Sequence, residues 1–529
     1  MHASGIDFVR QQKLIATLLE PGRYPHAVAA VQVIETHISW VLLAGDYAYK
    51  IKKALALGFL DDTRLDTRRH CCEEEIRLNR RTAPDLYLEV VAIGGSPQNP
   101  VLGVQPAIEY AVKMRNFAAS PLLDKQSQAG KLLPQHIDKL AATLARFHER
   151  LPMADAKSGF GSAAAVHAVV RQNLEQLRAH LTGAADREGV ASLEAATEAE
   201  YAGCRELIEM RRVQGRVREC HGDLHLGNIV LIDDEPVPFD CIDFDPALRW
   251  IDVMDEVAFT VMDLLQHERP DFAWRLLNAW LEANGDYEGI PLLRYYLAYR
   301  AAVRAKVCAI RAGQTHLPAH ARAEALSASR RYLALAQRCL EMYRPALIVT
   351  HGLPGSGKTT FSQMMLEQTG AIRLRSDVER KRLFGLGALE SSRPYVGDIY
   401  SQDATRRTYA RLYGLARKLL DAGFTVIVDA AFLKQDEREA FRELAHSMAV
   451  PYAIASLHAA DAVLRERVRQ RRQDASEADV AVLEMLQAAQ QPLSARELAC
   501  TASFTTEQAP DGKANSQAWD KLAKLLAFA

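Results

Sequence analysis

The stretch "ALIVTHGLPGSGKTT", residues 346–360, constrains this chain more than any other part of it. A short apolar run meets a glycine-rich turn, and Gly352 to Thr359 satisfies G-x-x-x-x-G-K-[ST]. Backbone amides of such a loop converge on one anion only if a strand enters the turn and a helix leaves it. The stretch therefore predicts a parallel α/β layer. Gly352, Pro354, Gly355, Ser356 and Gly357 wrap the β- and γ-phosphates of a nucleotide, Lys358 neutralises them, and the Thr359 hydroxyl faces Mg²⁺, with Thr360 beside it.

The segments downstream of this loop fit the same layer. "AIRLRSDVERKRLFG" supplies a second strand ending at Asp377. A carboxylate there lies beside the phosphate crevice and can take a proton from a substrate hydroxyl, or else it caps the following helix. "FTVIVDAAF" is a third strand, ending at Asp429, a candidate outer-shell Mg²⁺ carboxylate. "VLRERVRQRR" puts Arg465, Arg469 and Arg472 on one helix face, which reads as a lid over the transferring group or as a solvated charged face. Over residues 346–500 these features resemble the small P-loop kinases, such as polynucleotide kinase, gluconate kinase, zeta-type toxins and chloramphenicol phosphotransferase. The resemblance implies ATP-dependent phosphorylation of a hydroxyl, with Asp377 as base and Arg469 or Arg472 in the lid.

A second phosphate-type signal lies upstream, in "HGDLHLGNIVLIDDEPVPFDCIDFD" from His221 to Asp245. Asp223 and Asn228 have the D-x-x-x-x-N spacing of a base and a metal-binding amide. Asp243 ends an apolar run after a hairpin-like segment and supplies a second metal ligand, with Asp245 a further candidate. "YAYK" places Ala48 and Lys50 on one strand face, room for adenine beside a cation for phosphates. "HCCEEEIRLNRR" reads as a helix whose Glu75 or Glu74 can pair with Lys50, and "EYAVKMRNF" as a strand meeting adenine near Val112–Met114. Other readings stand beside these: Lys50 as a gatekeeper on an edge strand, and His221 with His225 as a metal-hydrolase site or as packing for the loop. The set, spanning residues 30–310, resembles the aminoglycoside phosphotransferase-like branch of the protein-kinase-like fold. No G-x-G-x-x-G precedes Lys50, so "ETHISWVLLAG" takes the place of the phosphate-covering hairpin.

At 529 residues the chain is too long for one ordinary core. The change of pattern near Tyr343–Pro345 predicts an α+β kinase-like domain over 1–343 and an α/β P-loop domain with a parallel sheet over 344–529. The order of the halves resembles a family of fused bacterial proteins described as bifunctional aminoglycoside phosphotransferase-like / ATP-binding proteins. A net charge of −1 gives no excess basic charge for broad nucleic-acid binding, so a hydroxylated small molecule is the favoured acceptor and a nucleic-acid end the lesser one. The eight scattered cysteines, without CxxC pairs, suit a reducing cytoplasm, and neither a membrane span nor a secretory leader is expected. Oligomeric state is left open.

Overall fold

The computed structural model describes residues 5–57, 60–118, 120–155, 157–315, 317–341, 344–392, 399, 401–470, 475–507 and 512–526. They form two compact units, one of residues 1–171 and 205–263, the other of 172–204 and 264–529. No helix among the described residues is long and apolar enough to cross a membrane.

The first unit is built on an antiparallel sheet. Its strands are β1 (Val31–Glu35), β2 (Ser39–Ala44), β3 (Tyr47–Lys52), β4 (Tyr87–Ser96), β5 (Asn99–Leu102) and β6 (Ala107–Arg115), in the order β1-β2-β3-β6-β4-β5. Gly45, at φ 61°, makes the tight β2–β3 turn foreseen at Gly45-Asp46. Strand β3 is interior and buried on both faces. Tyr49 and Ile51 join Leu14, Leu18 and Trp40 beneath the helix Gly5–Leu18. The alternate residues Ala48, Lys50 and Lys52 turn the other way, toward helix α1 (Leu65–Asn79). A hairpin of Ile229–Ile232 and Glu235–Pro238 turns at Asp233-Asp234, both at positive φ, where the sequence reads as hairpin-like. Helix α2 (Val253–Gln266) comes next.

The second unit includes helix α3 (Pro270–Asn284) and a wholly parallel five-stranded sheet. Its strands are β7 (Leu347–His351), β8 (Ile372–Arg375), β9 (Val426–Asp429), β10 (Tyr452–His458) and β11 (Thr501–Thr505), ordered β8-β9-β7-β10-β11. Helix α4 (Lys358–Thr369) follows β7, α5 (Ser376–Leu383) follows β8, and α6 (Asp461–Gln470) follows β10. The strands' apolar runs are buried, and Ile348, Ile427, Ala455 and Phe504 pack with Phe361 and Leu366 of α4. This is the fold class expected from the sequence: a kinase-like α+β half, then a parallel P-loop sheet.

Candidate active sites

In the first unit, Lys50 Nζ lies 2.8 Å from Glu75 Oε1, and Glu75 is fully buried. Glu74 instead pairs with Arg77 and Arg249, so the open choice between the two glutamates falls to Glu75. Lys50 is no edge gatekeeper, because β3 pairs with β2 on one side and β6 on the other. A second lysine, Lys52, sits on the same face. It reaches Glu75 Oε2 at 2.5 Å and forms an ion pair with Asp243. Lys50 also meets Asp240, which sits at positive φ. Burial pushes the Glu75 carboxyl up, but the two lysines outweigh it and bring it down to about 2. For Asp243 burial prevails over Lys52 and raises the carboxyl. Strand β6 is central, so the backbone of Val112–Met114, expected to meet adenine, faces β3 and β4 instead. Just past the strand, Asn116 N–H bonds to Asp46 O at 2.9 Å.

The predicted base and amide come together: Asn228 Nδ2 donates to Asp223 Oδ2 at 3.0 Å. The 221–228 loop and the 239–243 run are stitched by His221 Nε2 to Phe239 O (2.9 Å), Ile242 N to His221 O (3.0 Å) and Phe239 N to Asn228 O (2.9 Å). One local structure therefore carries Asp223, Asn228 and Asp243. His221 is a brace, with one ring nitrogen toward Phe239 O and the other toward Asp223 N, and burial lowers it to about 4. His225 Nδ1 accepts from Gly227 N. Both rings pack the loop, as the plainer of the two readings holds. Asp245 accepts from Ala247 N and caps a short turn.

Sequence reasoning missed what holds this loop. Glu256 Oε1 accepts His221 N (2.6 Å) and Oε2 accepts Gly222 N (2.9 Å). Thr260 Oγ1 donates to Leu224 O (2.7 Å), and Asp263 Oδ2 accepts Leu226 N (2.8 Å). The three lie on one face of α2, and their polar periodicity inside an apolar helix was a usable signal. Lys52 was equally visible, two residues past Lys50 on a strand of period two.

In the second unit, the loop after β7 has Gly352 at φ 146° and Gly357 at φ 87°. A Cβ on Gly352 would come within 2.5 Å of Leu457 O. Lys358 Nζ donates to the carbonyls of Gly352 and Leu353, both at 2.9 Å. Asp429 ends β9 and accepts Ser362 Oγ at 3.0 Å. Asp377 lies in the first turn of α5, whose cap residue is Arg375, so it is not the cap. A cavity of about 940 Å³ is lined by Lys358, Thr359, Asp377 and Asp429 together, with Arg375 and Arg467. Pro354, Gly355, Gly357 and Thr360 also border it, whereas Ser356 is buried behind the loop. An adjoining cavity of about 650 Å³ shares Thr405, Tyr409, Lys434 and Glu437 with it; burial raises the Glu437 carboxyl, which bonds to Tyr409.

Of the expected arginine face, the two described members do not line the cavity. Arg469 is exposed and does not line the cavity, and Arg465 pairs with Glu484. Arg472 lies outside the described residues. Among the described residues of α6, the arginine that lines the cavity is Arg467, which donates to Gly355 O (3.2 Å) and Thr506 Oγ1 (3.1 Å). The oxygen donors at each site, Asn228 with Asp243 and Thr359 with Asp429, suit a hard divalent cation.

Comparison with known proteins agrees with both halves. Residues 108–293 match the phosphotransferase enzyme family and residues 347–493 match an AAA domain. An uncharacterized protein of Mycobacterium tuberculosis is 31% identical over 431 residues, 80% of this chain and 83% of the relative. Among solved structures, a gluconokinase from Sinorhizobium meliloti is 21% identical, covering 35% of this chain and 95% of that one, with a TM-score of 0.26. A choline/ethanolamine kinase family protein from Mesorhizobium loti is 11% identical over 62% and 99%, with a TM-score of 0.35. The chain belongs to the family in which an aminoglycoside phosphotransferase-like domain is fused to a P-loop kinase-type domain, and it is a kinase.

Proposed function

We propose that this fusion kinase carries two separate nucleotide sites, each moving the γ-phosphoryl group of ATP to a hydroxyl of a small molecule in the cytoplasm, with residues 1–343 and 344–529 as the working halves. The reading is carried in the C-terminal half by the convergence of Lys358, Thr359, Asp377 and Asp429, from separate segments, on one cavity of about 940 Å³, and in the N-terminal half by the Lys50–Glu75 pair and the Asn228–Asp223 contact. In the C-terminal site the loop amides and Lys358 hold phosphates, and Asp377 accepts the acceptor's proton. Thr359 and Asp429 hold Mg²⁺. In the N-terminal site Lys50, oriented by Glu75, meets phosphate. Asp223 takes the proton, and Asn228 and Asp243 hold the metal. ATP and Mg²⁺ supply the phosphoryl group and shield its charge in transfer. The polar wall of the adjoining cavity suits a hydroxylated acceptor better than a nucleic-acid end.

One observation favours a second reading, in which only the P-loop half turns over and the first half binds a ligand or regulates. Asp243 is already paired with buried Lys52. The test is transfer from γ-labelled ATP, with Mg²⁺, to a panel of sugars, amino alcohols, aminoglycosides and oligonucleotide ends. Wild type is run beside Asp223→Ala and Lys358→Ala. Loss of a different product in each variant supports two kinases. If Lys358→Ala removes every product and Asp223→Ala none, the N-terminal half is not a working kinase.

A further inference from the structure

Helix α3 falls within the stretch matched by the phosphotransferase family, yet it lies in the second compact unit, along the edge strand of the parallel sheet. The side-chain amide of Asn278 takes the place of a neighbouring strand. Its Oδ1 accepts Arg373 N at 2.7 Å and its Nδ2 donates to Ala371 O at 3.0 Å. One helical turn on, Glu282, also buried, takes both arginines of β8. Oε1 accepts Arg373 Nε at 2.7 Å, and Oε2 lies 3.5 Å from Arg375 Nη1. Arg373 and Arg375 share a face because the strand period is two.

Arg375 then borders the phosphate cavity. Its Nε stands 3.9 Å from Asp429 Oδ2, beyond hydrogen-bond range, so the guanidinium is shared between two carboxylates. Arg373 approaches the same carboxylate by another route, through Ser362 Oγ at 3.4 Å, which in turn donates to Asp429 at 3.0 Å. Without the Glu282 charge, Arg375 still has the Asp429 carboxylate 3.9 Å away, within reach of a small side-chain shift. A full Arg375–Asp429 bond would occupy the carboxylate that a divalent cation needs.

We propose that Glu282 is a positioning residue of the C-terminal site: it holds Arg375 off Asp429 and so keeps that carboxylate available to the metal ion. The proposal rests on the reading of the P-loop cavity as a kinase site. It makes a helix outside the P-loop match part of that site.

The test is Mn²⁺ binding to the full chain in the presence of a non-hydrolysed ATP analogue, read from the free-Mn²⁺ electron paramagnetic resonance signal. The chain carries Asn228→Ala throughout, to remove a metal ligand of the other site. Glu282→Gln is expected to weaken Mn²⁺ binding about fivefold or more. The loss should vanish when Arg375→Ala is present as well. Arg375→Ala alone should leave binding equal or tighter, and it carries the test if Glu282→Gln does not fold. Binding within twofold of the parent in Glu282→Gln, the same loss with and without Arg375, or weaker binding in Arg375→Ala overturns the proposal. Asp429→Asn separates the two levels. If it leaves Mn²⁺ binding unchanged, the assignment of Asp429 as metal ligand fails, and the proposal falls with it. If it abolishes binding while Glu282→Gln does not alter it, only the role of Glu282 fails.

Discussion

Lys50 Nζ and Glu75 Oε1 meet at 2.8 Å, but Glu75 is shared: its second oxygen faces Lys52, which also pairs with Asp243. The two lysines therefore differ in what they do. Lys52 is almost fully buried between two carboxylates, while Lys50 extends to the more exposed Asp240. Lys52→Met leaves buried carboxylates short of a cation and is expected to cost about 3–5 kcal/mol. Lys50→Met should cost less stability and lower transfer by the N-terminal site. Urea unfolding beside product assays separates them; equal unfolding midpoints for the two variants would refute the distinction.

Glu256 serves two backbone amides with its two oxygens. A glutamine has one acceptor oxygen, so Glu256→Gln strands one buried N–H of the 221–228 loop. The expected cost is about 1–3 kcal/mol, with reduced product from the N-terminal site and unchanged product from the P-loop site. Thermal unfolding and the two product assays check this. A fall in both products would mean a global rather than a local effect.

Both phosphate signals were legible because each is contiguous: a loop that must wrap an anion keeps its residues within one short stretch. Asp223 with Asn228, and Gly352 through Thr359, were readable for that reason. Glu75 was readable as a helical carboxylate, but only packing separates it from Glu74. Glu256 was only half legible: its place in the polar row of α2 marks a helix face, but its partners are main-chain amides, which carry no sequence signature. Glu282 was hidden because its function depends on which sheet edge α3 covers, a tertiary fact that no local pattern encodes.

Acid should weaken the first unit in two stages. Burial lowers His148 to about 3 and His221 to about 4. An unfolded histidine binds a proton near pH 6.5, and these folded ones do not, so stability is full above that pH and falls as pH drops toward 4. Glu75, held down at about 2, contributes stability above about pH 4.5 that is lost as pH falls further toward 2. Denaturant midpoints from pH 8 to 4 should decline first in the histidine range. His148→Asn, which cannot titrate, should flatten that first decline, and an unchanged slope would refute the assignment.

Asn278 gives the edge strand β8 its outer hydrogen bonds. Asn278→Leu keeps the size of the side chain but leaves Arg373 N–H and Ala371 C=O without that partner, an expected loss of about 1–3 kcal/mol. The same reasoning predicts that residues 344–529 alone, without α3, expose a pairing edge and associate, whereas residues 264–529 remain better dispersed. Light scattering of the two fragments at equal concentration checks this. Equal scattering would show that α3 is not needed to cover the edge.

Helical spacing pointed to Arg465, Arg469 and Arg472 as one face, but the face turned toward the phosphate loop is that of Leu464, Arg467 and Val468. Leu464 and Val468 are buried on the loop side, and Gly355 packs so closely there that a Cβ would come within 2.9 Å of Leu464 O. The apolar pair therefore fixes the rotation of α6, and the arginine between them is carried inward. Arg467 ties Gly355 O to Thr506, whose own hydroxyl donates to Ser356 O at 2.9 Å. Arg467→Ala should loosen the loop and lower P-loop-site turnover about tenfold or more, through weaker nucleotide binding as well as slower transfer. Arg469→Ala, on the exposed side, should stay within about twofold of wild type. Fluorescent-nucleotide binding and initial rates for the two variants decide it. A larger loss from Arg469 than from Arg467 would mean that the helix turns on binding ATP and that its outer face is the one that closes.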